Sequence, residues 1–366
     1  MTLPNTDDEI SRIATAFGRD PDPLTKYEGQ FEQLAVDPLD AYFDRVLMAK
    51  DPTESTQKNY QYSFDQWREF MQEVDRHFAC PSNTHVRGFI EYLLQDRENS
   101  ISTTKRKVGN VNRAYEWWQE HHAFPHPGDY NPFRIALREA DLGRKNEELK
   151  HPPISISELR SVIADCTNVR ERLFLVWQLK FGLRVGELLN IRLEDIAIAH
   201  SGLKEWYPEI GTADALAGYE NALYIPSKYE REGNKSSRPR ILPIDDEAKR
   251  VLMQYLPTRP TVEEPWLILS KRTYEKIERG DAVNTVWKEH FSEFNDLEGY
   301  RNITSHYGRH YFTSYWKLKE NIPRELVQYM RGDKLGAGEG ESIDEYLTAH
   351  YQDIRSLYRD KIFHLL

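Results

Sequence analysis

Residues 141–153 read DLGRKNEELKHPP, and no other stretch limits the possible folds so strongly. It has no apolar stripe and ends in two prolines, so it reads as a linker between parts that each bury their own core. The length agrees: 366 residues exceed one ordinary core, and two domains are expected.

Ahead of the linker the pattern is helical. Residues 1–37 mix polar and proline-rich segments and read as a loosely held N-terminal arm. From Pro38 to about residue 140 four amphipathic helices are expected. The first carries Leu39, Tyr42, Phe43, Val46 and Leu47. The second starts near Ser55 or Thr56 and carries Tyr60, Phe64, Trp67 and Phe70. The third holds Val86, Phe89, Ile90, Tyr92 and Leu93. The fourth starts at a Ser102/Thr103 cap and carries Val108, Val111, Tyr115 and Trp118. Lys105, Arg106 and Lys107 crowd the start of that fourth helix and Arg113 follows. Cations there oppose the helix dipole, so phosphate contact is one use for them and a solvated basic face the other.

After the linker, from Ile154 to the end, a second domain is expected to be mainly helical with a small sheet. Its two short strands are Leu223–Pro226 and Arg240–Ile244, joined by the polar turn from Glu230 to Ser237. The whole chain is therefore expected to be mainly α with a small antiparallel β-sheet.

Composition excludes some classes. No run approaches a membrane span, and the acidic N-terminus lacks the apolar core of a secretory signal, so a cytoplasmic location is expected. Cys80 and Cys166 stand far apart, outside any metal-ligand spacing, and reduced thiols with no metal site are expected. The net charge of −10 argues against nucleic acid when taken as a sum, but a binding footprint is local. Arginine outnumbers lysine, 30 to 19, and an acidic surface of this kind suits a salt-rich cytoplasm.

Four pieces carry chemistry. Phe181-Gly-Leu-Arg-Val-Gly-Glu places Arg184 just after a turn at Gly182, with Glu187 one helical turn on. The hairpin carries Lys228 near the end of its first strand and Lys235 in its turn. His306-Tyr-Gly-Arg-His310 puts His306 and Arg309 on one helix face. Tyr346, Tyr351 and Tyr358 follow in an amphipathic C-terminal segment. Each piece alone is common; their order and spacing are not.

Together they resemble the tyrosine recombinase, or phage integrase, family. Residues 181–196 look like its box I, and His306–His310 followed by Tyr311-Phe-Thr resembles box II. The hairpin is similar to the one carrying that family's catalytic lysine. Residues 343–357 resemble its tyrosine helix, and 103–118 a helix of its N-terminal core-binding domain. The resemblance covers about 38–366. It implies a core-binding domain at 38–140, a catalytic domain at 154–366, and double-stranded DNA as partner, with a homotetramer on paired sites. It also implies a covalent 3′-phosphotyrosine intermediate formed without metal, ATP or other cofactor. Arg184 and Arg309 would hold the scissile phosphate, His306 would manage the nucleophile's proton, and Lys228 would protonate the leaving oxygen, with Lys235 as runner-up. Tyr346 is preferred as nucleophile over Tyr351 and then Tyr358, because it sets Ile354 and Leu357 on the family's apolar positions.

There is one departure. The family has histidine or tryptophan where this chain has Asp333, and an ionised carboxylate can only accept hydrogen bonds. Either Asp333 turns away to hold a neighbour such as Arg331, or His310 or His350 supplies the missing donor. A type IB topoisomerase and a DNA-binding protein that has lost catalysis are the other two readings. The tail 353–366 would pack on its own domain or on a neighbouring protomer.

Overall fold

The computed structural model describes residues 6–140, 142, 150–333 and 343–366. Two compact units divide at Glu147/Glu148, inside the 141–153 stretch.

The first unit is helical: α1 (Thr6–Ala16), α2 (Glu28–Glu32), α3 (Pro38–Tyr42), α4 (Glu54–Glu73), α5 (Asn83–Gln95), α6 (Ile101–Glu120) and α7 (Pro132–Glu139). Short polar side chains set the helix starts. Asp37 accepts the N–H groups of Leu39 and Asp40, and Thr53, Ser82, Ser100 and Asn131 each accept one from the first turn that follows. Phe64, Trp67, Phe89, Val111, Tyr115 and Trp118 fill the core.

Three features differ from expectation. α6 begins at Ile101 with Ser100 as cap, so Lys105–Lys107 lie in its second turn, past the strongest part of the dipole. The helix α7 was not foreseen, because eight residues offer too few apolar positions to show a period. Leu24 and Phe31, in the segment read as an arm, are buried in this core.

The second unit comprises α8 (Ile156–Asp165), α9 (Val169–Phe181), α10 (Val185–Leu189), β1 (Ile196–Ala197), α11 (Leu203–Trp206), β2 (Ala222–Ile225), β3 (Arg240–Pro243), α12 (Asp246–Tyr255), α13 (Asp281–His290), α14 (His306–Ser314), α15 (Arg324–Arg331) and α16 (Ile343–Lys361). The chain is thus mainly α with a small antiparallel sheet. The sheet has three strands in the order β1-β2-β3, with Ile196 opposite Leu223 and Tyr224 opposite Ile241. The two-residue edge strand β1 was too short to read from the sequence.

α9 is the central post, buried on every side from Leu173 to Phe181, with α12, α13 and α14 packed around it. A helix buried all round must find partners for its polar residues. Gln178 accepts from the Trp287 indole at 2.6 Å. Lys180 lies between Asp245 (2.6 Å) and Glu247 (2.7 Å) and donates to the Phe363 carbonyl. Glu247 also accepts the N–H groups of Leu365 and Leu366. The tail therefore packs on its own unit, with Ile362, Phe363 and Leu365 buried. On the outer edge of β3, the Tyr329 hydroxyl donates to the Ile241 carbonyl and accepts the Ile241 N–H, both at 3.1 Å.

Candidate active site

The site starts where α9 stops. Gly182 closes the helix at φ +59°, and a Cβ there would fall 2.6 Å from the Phe312 ring, so only glycine serves. The turn makes Arg184 the N-cap of α10, and Glu187 accepts its N–H at 2.9 Å. Glu187 is wholly buried between two guanidinium groups. Arg184 reaches one carboxylate oxygen at 3.1 Å, and Arg240, also fully buried, pairs with the other at 2.8 Å. The Ser236 hydroxyl donates to Glu187 as well. Burial pushes this carboxyl's pKa up, but Arg240, Ser236 and Arg184 outweigh it and hold it at about 2.

Arg309 comes from the middle of α14. One of its nitrogens donates to the carbonyls of Gly182 and Arg331, each at 2.8 Å, so its fork is fixed by main chain. Burial, and then Arg184, lower its pKa to about 9, which leaves it charged at neutral pH. α15 delivers the last group. It ends at Gly332, φ +65°, and the reversal brings Asp333 against both arginines. A single oxygen of Asp333 accepts from Arg184 at 3.0 Å and from Arg309 at 2.8 Å. Its other oxygen lies 3.0 Å from Nε of Arg331. Asp333 thus holds Arg331 as one reading expected, but it does not turn away. Two guanidinium groups brought this close attract an anion between them.

His306 is the first residue of α14 and is exposed. Its pKa is lowered by partial burial and then by Arg309, Arg331, Arg184 and Arg301, so the ring is neutral near pH 7 and able to take a proton. His310 lies one turn on with its pKa lowered likewise. Sequence reasoning missed His151, whose ring centroid is 4.3 Å from that of His310 and 6.4 Å from that of His306. Burial, followed by His310, Arg301 and His306, lowers it to about 4. His350 lies outside the described side chains.

Lys228 is not on the first strand, which ends at Ile225. Pro226 offers no N–H, and the carboxylate of Glu230 gathers the N–H and hydroxyl of Ser227 into a turn. Lys228 is exposed in that turn with its ammonium 4.8 Å from the Tyr229 ring centroid, and Lys235 is exposed further along. The Lys228 N–H donates to the Ser236 carbonyl at 2.8 Å, and the Ser236 hydroxyl in turn accepts from Arg184, so the turn borders the arginine cluster. In the first unit, Lys105 and Arg106 are exposed on α6, while Lys107 reaches Asn99 at 3.4 Å and Arg113 engages Tyr60 and Asn110.

The three tyrosines separate clearly. Tyr351 is buried edge-to-face on Tyr219 at 4.7 Å. Tyr358 is fully buried and donates to the Lys180 carbonyl at 2.6 Å. Burial raises the pKa of both, so both are packing residues as they stand. Residue 346 belongs to the first turn of α16, and its side chain lies outside the described residues. Among the described residues, Cys166, Glu171 and His290 are the one grouping with metal-ligand spacing; it lies apart from the arginines, and Lys271 also engages Glu171.

Residues 154–334 match the model of the phage integrase family. The chain is 25% identical over 199 residues to the tyrosine recombinase XerA of Pyrococcus horikoshii, covering 52% of this chain and 59% of that protein. It is 24% identical over 170 residues to the tyrosine recombinase XerC of Staphylococcus aureus, covering 45% and 53%. The matched stretch thus spans little more than half the length of these curated relatives. Among solved structures, a λ integrase (75–356) dimer bound to a COC′ core site aligns with a TM-score of 0.58 at 15% identity, covering 83% of this chain and 97% of that one. The Tn1549 transposon integrase in complex with transposon right end DNA aligns with a TM-score of 0.59 at 13% identity, covering 88% and 99%. Those two likenesses are of fold. No described helix is long and apolar enough to cross a membrane. With residues 154–334 matching the family model, and Arg184 and Arg309 within that stretch converging on one carboxylate oxygen, the chain belongs to the phage integrase, or tyrosine recombinase, family.

Proposed function

We propose that this protein is a site-specific recombinase that cleaves and rejoins DNA through a covalent tyrosine intermediate. One observation carries the reading: a single carboxylate oxygen is cradled by Arg184 and Arg309, on a frame of buried Glu187 and Arg240. Two fixed guanidinium forks are what a phosphodiester needs as charge builds on its non-bridging oxygens. Each such donor is worth ~3–4 kcal/mol in the transition state.

In this mechanism the hydroxyl of Tyr346 attacks phosphorus, and the bond to the 5′-oxygen breaks as the O–P bond forms. The DNA 3′ end is left on the tyrosine, and a 5′-hydroxyl attacking in reverse restores the diester. Neutral His306 takes the tyrosine proton. Lys228 or Lys235, on the β2–β3 turn, supplies a proton to the leaving oxygen. Lys105, Arg106, Lys107 and Arg113 on α6 would hold the DNA backbone. The proposed partner is double-stranded DNA, with four protomers on two paired sites. The solved structure of a λ integrase tetramer bound to a Holliday junction supports the assembly by analogy of fold.

A second reading has support of its own. Asp333 already engages both arginines, which suits a protein that binds DNA without cutting it. Nicked suicide substrates separate the two. The recombinase reading expects a covalent protein–DNA adduct with the natural chain and none with Tyr346→Phe. Specific DNA binding with no adduct would establish the second reading, and an adduct formed by Tyr346→Phe would move the nucleophile elsewhere.

A further inference from the structure

We infer that Asp333 is a positioning residue that holds the place of the scissile phosphate and is exchanged for it when DNA binds. The inference rests on the recombinase reading for the name of the incoming anion, but its geometry stands alone. One oxygen of Asp333 takes a hydrogen bond from Arg184 and another from Arg309. A phosphate oxygen gripped by both forks needs those same two N–H groups, so carboxylate and phosphate cannot both have them.

The two anions of the cluster differ in a telling way. Glu187 is wholly buried, paired with Arg240 and bonded to Ser236, and nothing from solvent can replace it. Asp333 keeps 26% of its side chain exposed and Arg184 keeps 28%, so the Asp333 side is where the cluster opens. Asp333 is also held less deeply, since its contacts are the three side chains of Arg184, Arg309 and Arg331. The roles therefore divide: Glu187 is the permanent counter-ion that aims Arg184, and Asp333 is the exchangeable one.

The exchange has a chemical purpose. Arg184, Arg240, Arg309 and Arg331 gather four positive charges around two carboxylates. Without Asp333, one carboxylate would face four guanidinium groups, and the forks would repel one another out of register. Asp333 keeps them aligned before DNA arrives, at the cost of competing with it. The position also selects the incoming anion, since a ligand must bridge both forks to displace the carboxylate.

The test uses the full chain with inorganic phosphate as probe. Thermal unfolding is followed in chloride and in phosphate of equal ionic strength, for the natural protein and for Asp333→Asn. Asp333→Asn should be less stable in chloride and recover with phosphate, binding it at least ~10-fold more tightly than the natural chain, which must first release its own carboxylate. A variant that responds to phosphate no more than the natural protein overturns the inference. Should Asp333→Asn not fold in chloride, Asp333→Ser purified in phosphate and dialysed into chloride gives the same reading. Unfolding that tracks phosphate loss supports the exchange, and unfolding at every phosphate level overturns it. Covalent adduct assays run separately. Phosphate linkage without any adduct from the natural chain keeps the exchange and sinks the recombinase reading; adducts without linkage do the reverse.

Discussion

Arg240 shows how much of the site rests on residues that never face the ligand. It has no exposed surface, spans both oxygens of Glu187, and donates to the Met330 carbonyl at 2.9 Å. Removing one partner of a buried pair costs ~3–5 kcal/mol when the other is left without a counter-charge; here Arg184 and Ser236 stay on Glu187, so the loss falls toward the lower end. Arg240→Ala should lose stability of that size in denaturant titrations, and Arg184 should lose its aim with it. A loss under ~1 kcal/mol would show that Arg184 and Ser236 suffice to hold Glu187. The sequence displayed Arg184, His306 and Arg309 because each sits at a turn or on a helix face in a recognisable spacing. It did not display Arg240, Ser236 or His151. Their contacts join residues 49 to 53 positions apart, or pair two rings across separate segments, and an arginine opening a strand looks like any surface cation. Asp333 was legible as a departure, but its bridging position was not.

At the scale of elements, helices were readable wherever a long apolar stripe and a short polar cap coincided, as in α4, α5 and α6. The misreadings have local causes. A two-residue strand and an eight-residue helix are too short for a period, and the end of β2 is fixed by Pro226 and by Glu230 folding back on Ser227. α6 carries a prediction. Lys105, Arg106 and Arg113 are all exposed, and Arg113 also donates to Tyr60 and Asn110. If α6 follows a DNA backbone, Lys105→Ala and Arg106→Ala should each weaken binding to all sequences alike. Each should also reduce the slope of log affinity against log salt by about 1. Arg113→Ala should in addition lower thermal stability, because it removes the hydrogen bond that ties α6 to Tyr60 of α4. A slope unchanged in both lysine and arginine variants would make this a merely solvated face.

For the whole molecule, charge is organised locally in a way the net value of −10 hides. The second unit sets His151, His306 and His310 beside a concentration of arginines, and all three imidazoles have pKa values below the ordinary 6.5. The unfolded chain therefore binds more protons as pH drops. The stability these groups contribute is complete above pH 6.5 and is lost as pH falls towards the value of about 4 that His151 reaches. Denaturant midpoints measured from pH 7.5 down to 4.5 should decline through that window, and replacing the three with glutamine should flatten the decline. Flat midpoints in the natural protein would mean that the imidazoles titrate as free groups. The placement of Tyr329 also reaches the scale of the solution. A sheet edge is a row of main-chain groups that a strand from another molecule can zip onto. Here one phenol meets the outward N–H and C=O of Ile241, standing in for that strand in the middle of β3. Together with helices α15 and α16 packed on β3, that phenol keeps the sheet from being extended by the backbone of another molecule.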